Sequence, residues 1–189
     1  AETGTGVILS ITPPSGEALT YTQVYEKAAP SIAALTAYSA GMVSTGTGIV
    51  LTADGYIVTN AHIIAGAEQV NVTLSWSAQL VGFEPLEDLA VLKIDASGLT
   101  PAQFGDDTLL RSGDPVSAIG NPMGYRSTIT PGIVSALDQP VSVEGTTMYL
   151  LQTSAAINYG SSGGALLNDR GQVVGITTIK IVTDDGSAE

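Results

Sequence analysis

The sequence predicts an all-β protein built from two consecutive groups of short strands. Three observations carry that prediction. Glycine is abundant (22 residues) while charged residues make up only 13% and aromatic residues only 5% of the chain, which favours many tight turns over solvated helix faces. The apolar segments are short, rich in Val, Ile and Thr, and in places alternate at period two. Between them "ASGLTPAQFGDDTLLRSGDP" (96–115) is dense in turn residues and divides the strands into an earlier and a later set.

A chain of 189 residues, 44% of them hydrophobic, is long enough to bury a core as one domain or as two small lobes. Six Lys and Arg against 18 Asp and Glu give a net charge of −12, which repels polyanions and anionic membrane surfaces and argues against a nucleic-acid partner. The absence of cysteine removes disulfides, thiol catalysis and thiolate metal sites without fixing the compartment. No stretch approaches the ~18 consecutive apolar residues of a membrane-spanning helix.

In chain order, residues 1–20 with "TPPSG" are polar and broken by Pro and Gly, and read as an arm outside the core. "TYTQVYEKAAP" offers Thr20 or Thr22 as the cap of a short helix that Pro30 stops. "SIAALTAYSA" begins the β-prone region. "GTGIVLTADGYIVTNAHII" (46–64) holds two apolar runs around Asp54-Gly55, a pair suited to a tight hairpin because glycine tolerates positive φ. "QVNVTLS", "QLVGFEP" and "LAVLKID" add three further runs that could close a small barrel with the hairpin. The later set comprises "VSAIG", "GIVSALDQPVSV" with a turn near Asp138–Pro140, "TMYLLQTSA", "GALLN", and "QVVGITTIKIV" after the turn "NDRG". The acidic tail "TDDGSAE" is expected to fray.

Three residues stand out chemically. His62 is the chain's one histidine and is expected at the end of the hairpin's second strand; a lone histidine is more often structural than catalytic. Asp88 directly precedes the apolar run "LAVL", where an ordinary strand-edge carboxylate and a buried one able to orient an imidazole are both open readings; Glu87 competes for the latter role. Ser162 lies in "GSSGG" (160–164), a composition that flexible linkers share, yet apolar residues flank it on both sides, which suits a turn that aims backbone N–H groups. Together the three supply an alcohol, a base to take its proton, and a carboxylate to hold that base, in the order His, Asp, Ser.

At this point the chain resembles the trypsin-like serine proteases of the HtrA (Deg) type. "GTGIVLTADGYIVTNAHII" is similar to their histidine segment and "EDLAVLKID" to their aspartate segment. "AIGNPMGYRSTITPGIVSAL" and "QTSAAINYGSSGGALLNDRGQVVGI" resemble their second-barrel and nucleophile segments. The likeness runs from about residue 22 to 180. It implies two packed antiparallel six-stranded β-barrels of chymotrypsin-like fold with a short N-terminal helix. The divisions would be an arm at 1–21, a His/Asp barrel at 22–98 and a serine barrel at 99–189. It also implies His62 as general base and acid, Asp88 as its orienting carboxylate and Ser162 as nucleophile. The backbone N–H groups of Gly160 and Ser162, with Ser161 between them, would form the oxyanion hole.

Two positions depart from the family pattern: Ser161 stands where Asn is usual before the nucleophile, and Ser154 where Asp is usual in "QTD". Both lie in the region that orders the oxyanion hole. By the same resemblance Ala156 lies at the base of the pocket for the residue before the cut, with Ile157, Thr177, Thr178 and Ile179 around it, so small or medium aliphatic residues are expected there. Ile157 and Ile179 read equally well as core. The pairs Asp106-Asp107 and Asp184-Asp185 lack the ligand spacing of a calcium loop and read as solvated turns, so no metal or cofactor is expected. The implied activity is an endopeptidase acting on unfolded or misfolded polypeptides. A homotrimer built through the N-terminal segment and an extracytoplasmic location follow from the resemblance; the C-terminal PDZ domain that the family often carries is expected either beyond these residues or not in this protein. The rival reading is a pseudoprotease that holds peptides without cutting them, for which Ser154 and Ser161 speak; an esterase of small substrates has no feature to recommend it.

Overall fold

The computed structural model describes residues 7–73, 76–122, 124, 126–143 and 146–178. The arm is not wholly outside the core: strand β1 (Ile11–Thr12) pairs in parallel with β8 (Phe104–Gly105), and Val7 and Leu19 pack against buried residues. Helix α1 (Tyr21–Ala28) starts at Thr20, which forms a reciprocal capping box with Gln23, and buries Val24 and Ala28. Thr20, not Thr22, is therefore the cap, because only it stands three residues before a side chain able to return the bond.

Among the described residues, strands β2 (Ile32–Ser39), β3 (Met42–Val50), β4 (Tyr56–Asn60), β5 (Gln69–Val72), β6 (Trp76–Glu84) and β7 (Leu89–Ile94) close into a barrel in the order β2-β3-β4-β7-β6-β5. The expected hairpin is β3–β4, and Gly55 takes φ +110° at its turn, against the carbonyl of Ile94 where a Cβ would collide. Leu35, Ile57 and Leu92 fill the barrel at 1% exposure or less. Each such aliphatic side chain contributes about 1.5–3 kcal/mol by leaving water.

The predicted link at 96–115 is more structured than its composition suggests. It carries β8 and a single 3-10 turn (Asp107–Leu109) capped by Asp106, whose carboxylate accepts from the Thr108 N–H and hydroxyl. Strands β9 (Pro115–Gly120), β10 (Thr128–Val143), β11 (Thr146–Thr153), β12 (Ala165–Asn168) and β13 (Val173–Ile176) join β1 and β8 in one curled sheet, ordered β1-β8-β13-β12-β9-β10-β11. Over the described residues this sheet is open, where a second closed six-stranded barrel was expected. The turn expected near Asp138–Pro140 is absent as well. The chain continues as one 16-residue strand, and Asp138 spends its tolerance of positive φ (+51°) in a bulge that shifts register between Ala136 and Gln139.

The two strand sets share a core. Val24 and Ala28 of α1, Ile32, Ile49 and Val58 of the barrel, and Ile119, Leu167 and Val173 of the curled sheet form one apolar cluster. Lys27 and Tyr25 of α1 also donate to the carbonyls of Arg170 and Ser127, so the helix straps the sheet to the barrel. Asp184-Asp185 and Ile179 lie outside the described residues.

Candidate active site

His62 sits not on a strand but on a one-turn helix, α2 (Ala61–Ile64), that begins where β4 ends at Asn60. The helix takes no cap from its own N-cap residue. Asp88 supplies it from 26 residues away: its Oδ1 accepts the backbone N–H of His62 at 2.9 Å, while its Oδ2 lies 2.8 Å from His62 Nδ1. One carboxylate thus caps the helix and orients the ring that the helix carries.

Asp88 is held for this work. It is buried and adopts φ +54°, a left-handed conformation that Asp tolerates better than most residues. Its carbonyl accepts the N–H of Ala61 at 3.0 Å and the side-chain amide of Asn60 at 3.1 Å. Thr178 adds a hydroxyl 3.3 Å from Oδ2. The His62 side chain remains 46% exposed, open to a reactant, while that of Asp88 is 8% exposed. Glu87, the alternative carboxylate, is exposed.

Ser162 is buried in the segment between β11 and β12, whose conformation depends on its glycines. Gly160 and Gly163 take φ +83° and +84°, and a Cβ on Gly163 would collide with the Thr47 carbonyl and the Thr59 hydroxyl. Gly164 is equally crowded against the carbonyl of Ile119. The "GSSGG" stretch is therefore a packed frame rather than a linker. Its Ser162 carbonyl accepts the N–H of Thr47 at 2.8 Å, and the Thr47 carbonyl accepts the hydroxyl of Thr59, the neighbour of Asn60, at 2.7 Å. On the other side Gly163 and Gly164 pair with the backbone of Thr177, the neighbour of Thr178. The Ser162 segment and the His62–Asp88 pair are thus tied to the same two stretches of chain, at the seam between the barrel and the curled sheet.

The remaining expected residues fall around this seam. Ser161 donates its N–H to Asn158 at 2.9 Å, closing a turn over Tyr159 and Gly160. Ala156 is exposed, its carbonyl accepting from Thr130, and Ile157 packs half-buried against the cluster of Leu110, Val116 and Val134. Thr177 and Thr178, expected as pocket wall, place their hydroxyls on the Ser161 carbonyl and on Asp88 Oδ2. Ser154 accepts the N–H of Ile133 at 3.0 Å, a task that needs only an acceptor oxygen and that a carboxylate would also perform. Sequence reasoning passed over Thr47, Asn60 and Thr59, since strand hydroxyls and amides carry no signal of what they bond across a fold. Among the described residues no three His, Asp or Glu side chains group as a metal site.

Residues 46–176 match the model of the trypsin-like peptidase domain. The serine protease Do-like HtrA of Lactobacillus helveticus is 45% identical over 157 residues, covering 77% of this chain and 38% of that protein. A probable periplasmic serine endoprotease, DegP-like, of Chlamydia trachomatis is 44% identical over 149 residues, covering 75% of this chain and 29% of its own length. The chain thus spans about a third of the curated relatives it matches. A solved HtrA-type protease, AlgW with tripeptide, superposes with a TM-score of 0.77 at 42% identity, covering 83% of this chain and 53% of the other. The likeness extends over both strand sets and the seam between them, and the chain belongs to the trypsin-like peptidase family, as a serine protease domain of the HtrA (Deg) type.

Proposed function

We propose that this chain is a serine endopeptidase domain that cuts unfolded or misfolded polypeptides through an acyl-enzyme on Ser162. The observation that carries the reading is the His62 ring held 2.8 Å from a buried Asp88, with its other edge exposed at the seam that also holds Ser162. His62 takes the hydroxyl proton as Ser162 attacks the substrate carbonyl, then returns it to the leaving amine; Asp88 fixes the tautomer and stabilises the imidazolium. Water repeats the sequence to release the acyl group. The N–H groups of Gly160 and Ser162 meet the negative charge of the tetrahedral state, where one such donor is worth about 2.7–4 kcal/mol.

Thr178 supports Asp88 through Oδ2, the oxygen that also faces His62 Nδ1, while its backbone and that of Thr177 line the proposed pocket. Ala156, small and without charge, sets the base of the pocket and favours Val, Ala or Leu before the cut, with Ile157 and Ile179 as apolar neighbours. An extended substrate adds a strand along residues 177–180; the AlgW protease, solved with a tripeptide, holds a ligand of that chemical class. The closed barrel and the open curled sheet together suit a chymotrypsin-like fold, the sheet standing in the place of its second barrel. A trimer formed through the N-terminal segment, a PDZ domain and an extracytoplasmic location belong to the same reading, the last supported by the periplasmic relative. Among the described residues no helix is long and apolar enough to cross a membrane.

The test is a cleavage-site profile on denatured casein, with Ser162→Ala alongside. Cuts after small aliphatic residues that vanish in the variant are expected. Cuts that persist in Ser162→Ala, or hydrolysis of simple esters without protein cleavage, would refute the assignment.

A further inference from the structure

Thr47 is fully buried in β3, and its backbone and side chain join the barrel to the nucleophile segment at several points. Its N–H donates to the Ser162 carbonyl at 2.8 Å, and its own carbonyl accepts the Thr59 hydroxyl at 2.7 Å. Its hydroxyl donates to the Gly160 carbonyl at 2.8 Å and accepts the N–H of Asn121 at 2.9 Å. A hydroxyl that both donates and accepts in a dry interior is hard to replace, because either orphaned partner costs its full desolvation.

We infer that the Thr47 hydroxyl is a latch, supplied by the barrel, that sets the oxyanion hole in the opposite sheet. Thr47 touches no reacting atom; it is a positioning residue. A peptide group is planar, so holding its oxygen fixes where its N–H points. The peptide joining Gly160 to Ser161 is gripped at both ends, its oxygen by Thr47 and its N–H by Asn158. The next peptide, joining Ser161 to Ser162, has its oxygen held by the Thr177 hydroxyl at 2.8 Å and the Gly164 N–H at 2.9 Å, which turns the Ser162 N–H to the opposite side. The two proposed donor groups, on Gly160 and Ser162, flank the peptide that Thr47 holds. Losing its hydroxyl leaves that peptide held at its N–H alone, free to rotate about Gly160, a glycine at φ +83°.

The inference rests on the proposed hydrolysis, and its test separates the two. Thr47→Val keeps the shape and removes the hydroxyl, whereas Thr47→Ser keeps the hydroxyl. On a peptide substrate, Thr47→Val is expected to lose about 10–100-fold in kcat with KM nearly unchanged, part of the loss that deleting a whole donor causes. Affinity for a peptidyl boronate, which forms a tetrahedral adduct, should fall in parallel, while Thr47→Ser stays within about threefold of the wild type on both measures. Equal kcat in Thr47→Val and the wild type, or equal losses in Val and Ser, would overturn the latch. Amide hydrogen exchange on the unmodified chain judges it even if Thr47→Val does not fold or the chain hydrolyses nothing. The N–H groups of Asn121 and Ser161 should be protected to the level of Gly163, and exchange at loop rates there also overturns it.

Discussion

At the scale of single residues, the site depends on conformations that only particular side chains accept. Asp88 combines a left-handed backbone with a carboxylate split between the His62 backbone and ring. Asp88→Asn preserves the shape but offers an amide to Nδ1 where a charge is needed. Its kcat should fall by about 10⁴-fold with little change in KM, measured on a peptide substrate. Gly163→Ala tests the frame around Ser162. A methyl there meets the Thr47 carbonyl and the Thr59 hydroxyl at φ +84°, so the variant should lose both thermal stability and labelling by a fluorophosphonate; a protein that keeps both would show that the segment has room the structure denies it. The pairing of His62 with Asp88 was legible in the sequence because their chemistry is rare and their order is informative, and the same order singles out Ser162 as the proposed nucleophile. Thr47, Thr59 and Asn60 were not, because each looks like an ordinary strand residue until the fold brings its partner to it.

At the scale of elements, local signals were read well where one local preference decided the outcome. The capping box of Thr20 and Gln23 and the Gly55 turn lie within a few residues of chain, and both elements form where the sequence placed them. Thr20→Ala should lower stability by about 1 kcal/mol, seen as a melting temperature about 2–4 °C lower. Hydrolysis should be untouched, since Thr20 lies at the exposed start of α1 and its side chain bonds Gln23 there; a loss of activity at unchanged stability would contradict that division. Signals misled where a tertiary choice overrode them. Asp138 and Pro140 read as a turn, yet the ladder with β11 continues past them and absorbs Asp138 as a bulge. His62 read as the end of a strand because it follows the β-prone run "YIVTN", whereas the turn of helix that carries it is capped by Asp88, a long-range partner that no local pattern could announce.

At the scale of the molecule, two strand sets divided by a turn-rich stretch were visible in composition and spacing. Their joint core of Ile32, Ile49, Ile119, Leu167 and Val173 was not, because a residue's apolarity does not say which sheet it faces. The described strands of the later set form an open, curled sheet with β1 of the arm at one edge, so part of the chain read as excluded from the fold contributes to it. The exposed apolar residues of that arm, Ile8 and Ile11, suit the proposed trimer contact. Light scattering should then give three times the 19.2 kDa of one chain, and Ile8→Asp with Ile11→Asp should give one; a monomer at all concentrations removes that part of the proposal.

The central claim is that the seam between barrel and sheet activates one serine through one histidine. Mapping a fluorophosphonate adduct by peptide mass spectrometry tests it most directly. The account predicts one adduct per chain, on Ser162, lost in His62→Ala and slowed in Asp88→Asn. Labelling of another residue, or labelling of Ser162 undiminished without His62, would contradict it.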